Sequence, residues 1–202
     1  MPKQAGSDYE QFAPASRAEW RLWLEQFHTE KQGIWLVYFK KESGKKESGK
    51  PRVSYDDAVE EALCFGWIDS VVRTLDEASY QQLFTPRKKS SNWSRLNKER
   101  VQRLVEQGLM HEAGQRMIDI AKASGKWDAL NDVENLTVPE DLQALFDENP
   151  DAARHWNTFS RSSKRGILEW ILNAKRPETR LKRLHETVRM AAKNLRVNFD
   201  KE

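Results

Sequence analysis

The sequence predicts an α+β fold: a small N-terminal antiparallel-type sheet of about three strands with helices, followed by a mainly helical C-terminal half. Three observations carry this. The hexapeptide Ile34-Trp35-Leu36-Val37-Tyr38-Phe39 has the length and composition of a strand buried on both faces. Residues 67–73 and 80–85 read as a hairpin that turns at Asp76-Glu77 and ends at Pro86. Beyond Pro86, helical patterns dominate.

Element by element, residues 1–15 are polar, contain Pro2 and Pro14, and read as a flexible arm. Ser16 followed by Glu19 fits a capping box, with Trp20, Trp23, Leu24 and Phe27 on the apolar side of the helix it opens. Gly33 breaks that helix before the first strand. Next comes Lys-Lys-Glu-Ser-Gly at 40–44, repeated at 45–49. A duplicated charged unit fits an exposed turn, where added length costs little closure entropy. Ser54 with Asp57 opens the next helix and Gly66 closes it. Ser91 or Asn92 is placed to cap a helix running to Gln107 and stopped by Gly108; another ends at Gly125.

Residues 127–151 hold eight acids and no Lys or Arg, with Pro139 suited to a first helical position. Between Lys175 and Arg196 the sign reverses, with eight Lys or Arg against Glu178 and Glu186. Two helical faces are expected in the last quarter. One gathers Ile167, Trp170, Ile171 and Ala174; the other gathers Leu181, Leu184, Val188, Ala191 and Leu195. The expected organisation is an arm at 1–15, an α+β region at 16–125 and a helical region at 126–202 packed on it.

Composition narrows the function classes. The 202 residues carry 34 Lys or Arg and 31 Asp or Glu, a net +3, so no strong global charge selects nucleic acid or an acidic surface. Charged residues make up 32%, above the usual quarter, and the core is aromatic, with eight Trp, eight Phe and four Tyr. The longest apolar runs have seven residues, too short for a membrane span, and no signal-peptide core opens the chain. One cysteine, Cys64, precludes an internal disulfide, and the expected address is the cytoplasm. Cys64 stands among apolar residues near a helix C-terminus, which favours a packed thiol over a nucleophile. His28, His111, His155 and His185 are scattered, so no metal site is expected, and no phosphate loop or dinucleotide motif implies a cofactor.

The richest segment is Arg87-Lys88-Lys89-Ser90-Ser91-Asn92-Trp93-Ser94-Arg95, where basic groups, hydroxyls and an indole gather at a helix start. Its plain reading is a capping loop with Trp93 as a buried anchor. Its functional reading is a pocket for a small anion or ligand. Seven basic residues from Arg87 to Arg103, with the C-terminal eight, keep nucleic-acid binding as a less favoured alternative.

Three phrases occur together in this chain: residues 54–69 (Ser-Tyr-Asp-Asp-Ala-Val-Glu-Glu-Ala-Leu-Cys-Phe-Gly-Trp-Ile-Asp), residues 84–101 with Phe84-Thr85-Pro86-Arg87 and Ser91-Asn92-Trp93-Ser94, and Ala174-Lys175-Arg176-Pro177-Glu178-Thr179-Arg180. With them the sequence resembles the bacterial YdeI/OmpD-associated, bacteriocin-protection family, from about Arg17 to Arg196. The resemblance implies a link to envelope stress and to resistance against antimicrobial peptides or bacteriocins. It implies no reaction, cofactor or catalytic residue. Two features depart from the family pattern: the duplicated unit at 40–49, and His111 at a helix start where a Thr-Pro-like pair is expected.

A lone acid at Asp69 is costly if buried without a cation. The expectation is therefore that Asp69 meets Arg87 or Arg95, with Trp67 and Trp93 flanking a pocket that includes Ser91 and Asn92. The leading functional reading is a non-enzymatic stress or resistance protein binding a small molecule, anion, peptide or protein partner, without membrane insertion. An enzyme using Asp69 as acid–base group is the alternative. Trp20, Trp23, Trp35 and Trp170 are assigned to the core, while Trp127 and Trp156 stay unassigned.

Overall fold

The computed structural model describes residues 9–40 and 52–200, so the duplicated units lie, Lys40 apart, outside the described residues. The chain divides into two compact units, Met1–Trp127 and Asp128–Glu202. Sheet and helices share the first; the second is helical among its described residues.

The first unit runs β1 (Gln11–Phe12), α1 (Arg17–Phe27), β2 (Ile34–Phe39), α2 (Tyr55–Cys64), β3 (Trp67–Thr74), β4 (Ser79–Pro86), α3 (Arg95–Glu106) and α4 (Glu112–Ala123). The sheet order is β1-β2-β4-β3, parallel between β1 and β2 and antiparallel elsewhere. It thus has four strands among the described residues, not three. The extra one, β1, falls in the segment expected to be an arm, and Trp35 N–H donates to Glu10 O at 2.9 Å beside it.

The helix starts follow from their caps. Ser16 accepts the Glu19 N–H at 3.2 Å while Glu19 reaches back to the Ala15 N–H at 2.7 Å. Ser54 accepts the Asp57 N–H at 3.1 Å. α3 starts later than expected: Ser94, not Ser91 or Asn92, accepts the Asn97 N–H at 3.3 Å. Trp93 explains the delay, because it is buried in the core and residues 91–94 take no regular structure.

Gly66 ends α2 with φ +73, and a Cβ there would stand 3.0 Å from the Ala113 carbonyl. Gly114 does the reciprocal job on α4, where a Cβ would come within 2.2 Å of the Cys64 carbonyl. These two glycines let α4 lie against the end of α2. The core between sheet and helices holds Trp20, Leu24, Leu36, Tyr38, Phe84 and Trp93, all at or below 1% exposure. The Trp20 indole N–H is satisfied by Ala58 O at 3.0 Å, and its ring stacks on Trp23 at 5.1 Å. Trp127 is also explained: its ring packs on Trp93 at 5.2 Å.

An ion network ties α1 to α2. Glu61, 2% exposed, accepts Arg17 Nε at 2.6 Å and Arg21 Nη1 at 2.8 Å. Arg17 also holds Asp57 and Glu60, each at 2.9 Å. Burial works against the Arg17 cation, yet these bonds outweigh it and raise its pKa.

The second unit contains α5 (Asn131–Asn135), α6 (Glu140–Asp147), α7 (Pro150–Thr158), α8 (Arg161–Leu172) and α9 (Pro177–Ala192). Pro139 is the cap of α6 and not its first residue. Leu142, Phe146, Trp156, Ile167, Ile171 and Leu184 form the core, with Trp156 packed 5.4 Å from Phe146. Leu181 departs from its expected face and is exposed. Among the described residues, no helix is long and apolar enough to cross a membrane.

Candidate functional site

The antiparallel register of β3 and β4 sets Asp69 opposite Phe84 and Trp67 opposite Pro86, so the chain leaves β4 directly into Arg87. The Arg87 N–H donates to Gly66 O at 2.9 Å, which pins the residue at the end of the hairpin. A bulge between Asp69 and Val72 breaks the pairing just after Asp69, a device that re-aims side chains at sheet edges.

Arg87 is the anomaly of this unit. Its side chain is buried, 7% exposed, and its guanidinium lies over the Trp93 ring 3.8 Å from the centroid. Nη2 donates to the Asn92 carbonyl, while Nε and Nη1 are buried without a hydrogen-bond partner among the described residues. Burial pushes its pKa down to about 10, and the Asp69 charge only partly resists. A buried arginine of this kind normally sits in an ion pair.

Asp69 does not supply that pair. Its Oδ2 accepts the Tyr55 hydroxyl at 3.0 Å and Gln82 Nε2 at 2.7 Å. No described residue forms an ion pair with it, so the expected direct contact with Arg87 or Arg95 is corrected: the carboxylate is felt at Arg87 without touching it. Tyr38 adds a third feature. Its hydroxyl is buried with no hydrogen-bond partner among the described residues, and burial, with the charges of Tyr80, Asp69 and Tyr55, drives its pKa up. Tyr38 and Tyr80 stack at 5.1 Å across the strand pair.

The structure therefore brings together Arg87, Trp93, Asn92 through its carbonyl, and Asp69. It leaves out Trp67, which donates to His28 O at 3.1 Å and meets Trp23 edge-on at 5.7 Å, as a core residue and not a pocket wall. Ser91 is a turn residue whose N–H donates to Lys88 O at 2.9 Å, and Arg95 stands exposed at the first position of α3. Tyr38, Tyr55 and Gln82 were not singled out from the sequence as site residues. The one available signal was Gln81-Gln82 in the middle of a strand, since a buried amide needs a polar partner.

A second polar cluster joins α1 to α4. His28 and His111 rings lie 5.1 Å apart, with Phe65 against both. His111 is the α4 cap, its Nδ1 accepting the Ala113 N–H at 3.2 Å. Protonation at Nδ1 would remove that acceptor. Burial, then His28, Arg21 and Arg116, lower the His111 pKa below its ordinary 6.5, with Glu112 opposing. The unfolded chain thus binds the proton more readily, and His111's contribution to stability is lost as pH falls below about 6.5. Replacing His111 by Asn keeps a capping oxygen and removes the titration. Denaturant melts across pH 5–8 should show the advantage of the wild type over His111→Asn shrinking toward pH 5; a pH-independent difference would contradict this.

Cys64 is buried, and burial pushes its thiol up to about 11, as a packed and unreactive sulfur. Among the described residues no group of three or more His, Cys, Asp or Glu is placed to hold a metal ion.

Residues 12–117 match the family model described as a domain of unknown function (DUF8412), more than half of the chain. The chain belongs to this family. The DUF8412 segment contains the whole of the Arg87–Asp69 cluster and the first two sequence phrases, 54–69 and 84–101. Residues 135–194 match a second model, described as bacteriocin-protection, YdeI or OmpD-associated, which spans α6 to α9 and the third phrase. The match to the family read from the motifs thus covers the C-terminal segment, whereas the resemblance is expected over 17–196. No curated protein and no solved structure matches the chain.

Proposed function

We propose that the DUF8412 segment binds a small anion, a carboxylate or phosphate, at Arg87, in a protein whose C-terminal family points to bacteriocin or antimicrobial-peptide protection. The reading is of a binding protein acting in the cytoplasm. The observation that carries it is the buried Arg87 guanidinium with two nitrogens unpartnered among the described residues, backed by the Trp93 face. Each unsatisfied buried N–H costs about 1–3 kcal/mol, a cost that an anion accepting charge-assisted hydrogen bonds would offset.

The nucleic-acid reading loses support near the C-terminus. On α9, Arg180 is held by Asp141 at 2.7 Å and Arg183 lies over Trp170 at 4.8 Å while donating to its carbonyl; beyond it, Arg196 is held by Asp200. Cations occupied in this way are not a free track for phosphates.

Calorimetric titration of the full chain with propionate and with phosphate tests the proposal. Saturable binding is expected in the wild type and a loss of at least about tenfold in Arg87→Met. Equal binding by both proteins would remove Arg87 from the site.

A further inference from the structure

We infer that the groove along α9 in the second unit is the docking site for an amphipathic helix of a partner protein, apolar on the face that enters the groove and acidic along its flank. The site lies wholly within residues 128–202 and is independent of Arg87.

The groove has a volume of about 690 Å³ and lies between α9 and the junction of α6 with α7. From α9 it takes Lys182, His185, Arg189 and Ala192. These recur at alternating intervals of three and four residues, the spacing of a seam against which another helix packs. The inward face of α9 is a different one, where Leu184, Thr187 and Ala191 are buried at the same spacing. α9 thus carries a second helix-packing seam, and that seam is open as a groove. From Lys182 to Ala192 the helix rises about 15 Å, nearly three turns. Over that length the groove has a mean cross-section of about 46 Å², close to half that of a helix about 10–12 Å across. A helix sunk to its axis fills it, with Leu145, Val188 and Ala192 as the lining for its apolar face.

Charge selects the flank. Lys182 and Arg189 stand against Glu186 in the lining, a net positive set, and His185 adds a ring donor. Lys182 and Glu186 are spaced for an i,i+4 pair on α9, yet among the described residues neither side chain makes a hydrogen bond or ion pair, and nor does the His185 ring. Asn149 adds an acceptor: its Nδ2 donates to Leu145 O at 2.8 Å, and no described residue donates to its Oδ1. Elsewhere on α9, Arg180 is held by Asp141 and Arg183 by the Trp170 carbonyl. The polar groups without partners are therefore those that face the groove. A phosphate backbone fits less well, because Glu186 interrupts the cations and apolar residues share the lining.

Fluorescence anisotropy with the full-length protein and labelled peptides tests the inference. The probe is a helical peptide of about 15 residues with Leu on one face and Glu along one flank; the controls are its twin with Lys for Glu and a scramble that disperses the Leu face. The wild type should bind the acidic probe saturably, at least about tenfold more tightly than either control. Lys182→Glu, at an exposed position, should melt like the wild type, bind the acidic probe at least about fivefold more weakly and bind the Lys twin more tightly. Ala192→Gln, also exposed, leaves the charge unchanged and crowds the apolar lining, so it should weaken the acidic probe a few-fold. The inference is overturned if the acidic probe stays unbound up to about 1 mM, if either control binds the wild type equally, or if Lys182→Glu leaves the order of the peptides unchanged. Displacement of the probe by an oligothymidylate at lower concentration than by unlabelled probe would assign the groove to nucleic acid and overturn it as well.

Discussion

Replacing Glu61 by alanine should destabilise the N-terminal unit by about 3 kcal/mol, the largest loss expected from any single charged side chain in it. Glu61 is 2% exposed and holds two arginines, so its removal leaves Arg17 and Arg21 facing a buried gap. Breaking a buried pair from one side costs about 3–5 kcal/mol. The lower end applies because both arginines keep solvent contact, with side-chain exposures of 33% and 28%, and because Arg17 retains Asp57 and Glu60. Glu61→Gln keeps the shape and one of the two acceptor oxygens, so a smaller loss of about 1–2 kcal/mol is expected. Urea denaturation of the three proteins decides the matter. A loss below about 1 kcal/mol for Glu61→Ala would mean that the network contributes specificity and not stability.

Arg87→Met should behave in the opposite way, changing stability by no more than about 1 kcal/mol in the absence of ligand. The substitution removes a hydrogen bond to the Asn92 carbonyl and the guanidinium face on Trp93, losses of about 1.5–3 and about 2 kcal/mol. It also removes a buried charge whose Nε and Nη1 have no partner, each an unsatisfied group of about 1–3 kcal/mol. Methionine fills the same space and keeps a sulfur contact with the indole. The terms nearly cancel, whereas removing an arginine from a buried ion pair would cost about 3–5 kcal/mol. Near-neutral stability with lost binding is the signature of a group held in an unfavourable state for function.

The contrast between these two residues also shows what the sequence made legible. Signals confined to a few neighbouring residues were readable: the Ser16 and Ser54 caps, the stops at Gly66, Gly108 and Gly125, and the strand at 34–39 all stand where local chemistry puts them. β1 was not readable because two residues carry no period, and its place depends on pairing with β2. The start of α3 moved to Ser94 because the burial of Trp93, a tertiary fact, overrode the earlier cap candidates. Glu61 gave no sign of its importance, since its partners are 44 and 40 residues away. The candidate cluster was half readable. Arg87, Asn92, Trp93 and Asp69 come from segments dense in polar groups beside aromatics, whereas Tyr38 and Gln82 belong to the site only through the register of β2, β3 and β4. Asp69 and Arg87 were expected to pair because a buried acid and a nearby base usually do. The tyrosine and glutamine that satisfy Asp69 lie 14 and 13 positions away and take the base's place.

That Arg87 is held for a ligand and not for the fold is the claim on which the functional account depends. Parallel thermal denaturation of wild type and Arg87→Met, with increasing propionate against chloride at matched ionic strength, tests it in one measurement. Without propionate the two proteins should melt within a few degrees of each other, and propionate should raise the wild-type midpoint saturably while leaving Arg87→Met unmoved. A variant that melts more than about 10 °C below the wild type, the size of a 3–5 kcal/mol loss in a unit of this length, would contradict the account, as would equal shifts of both proteins by propionate.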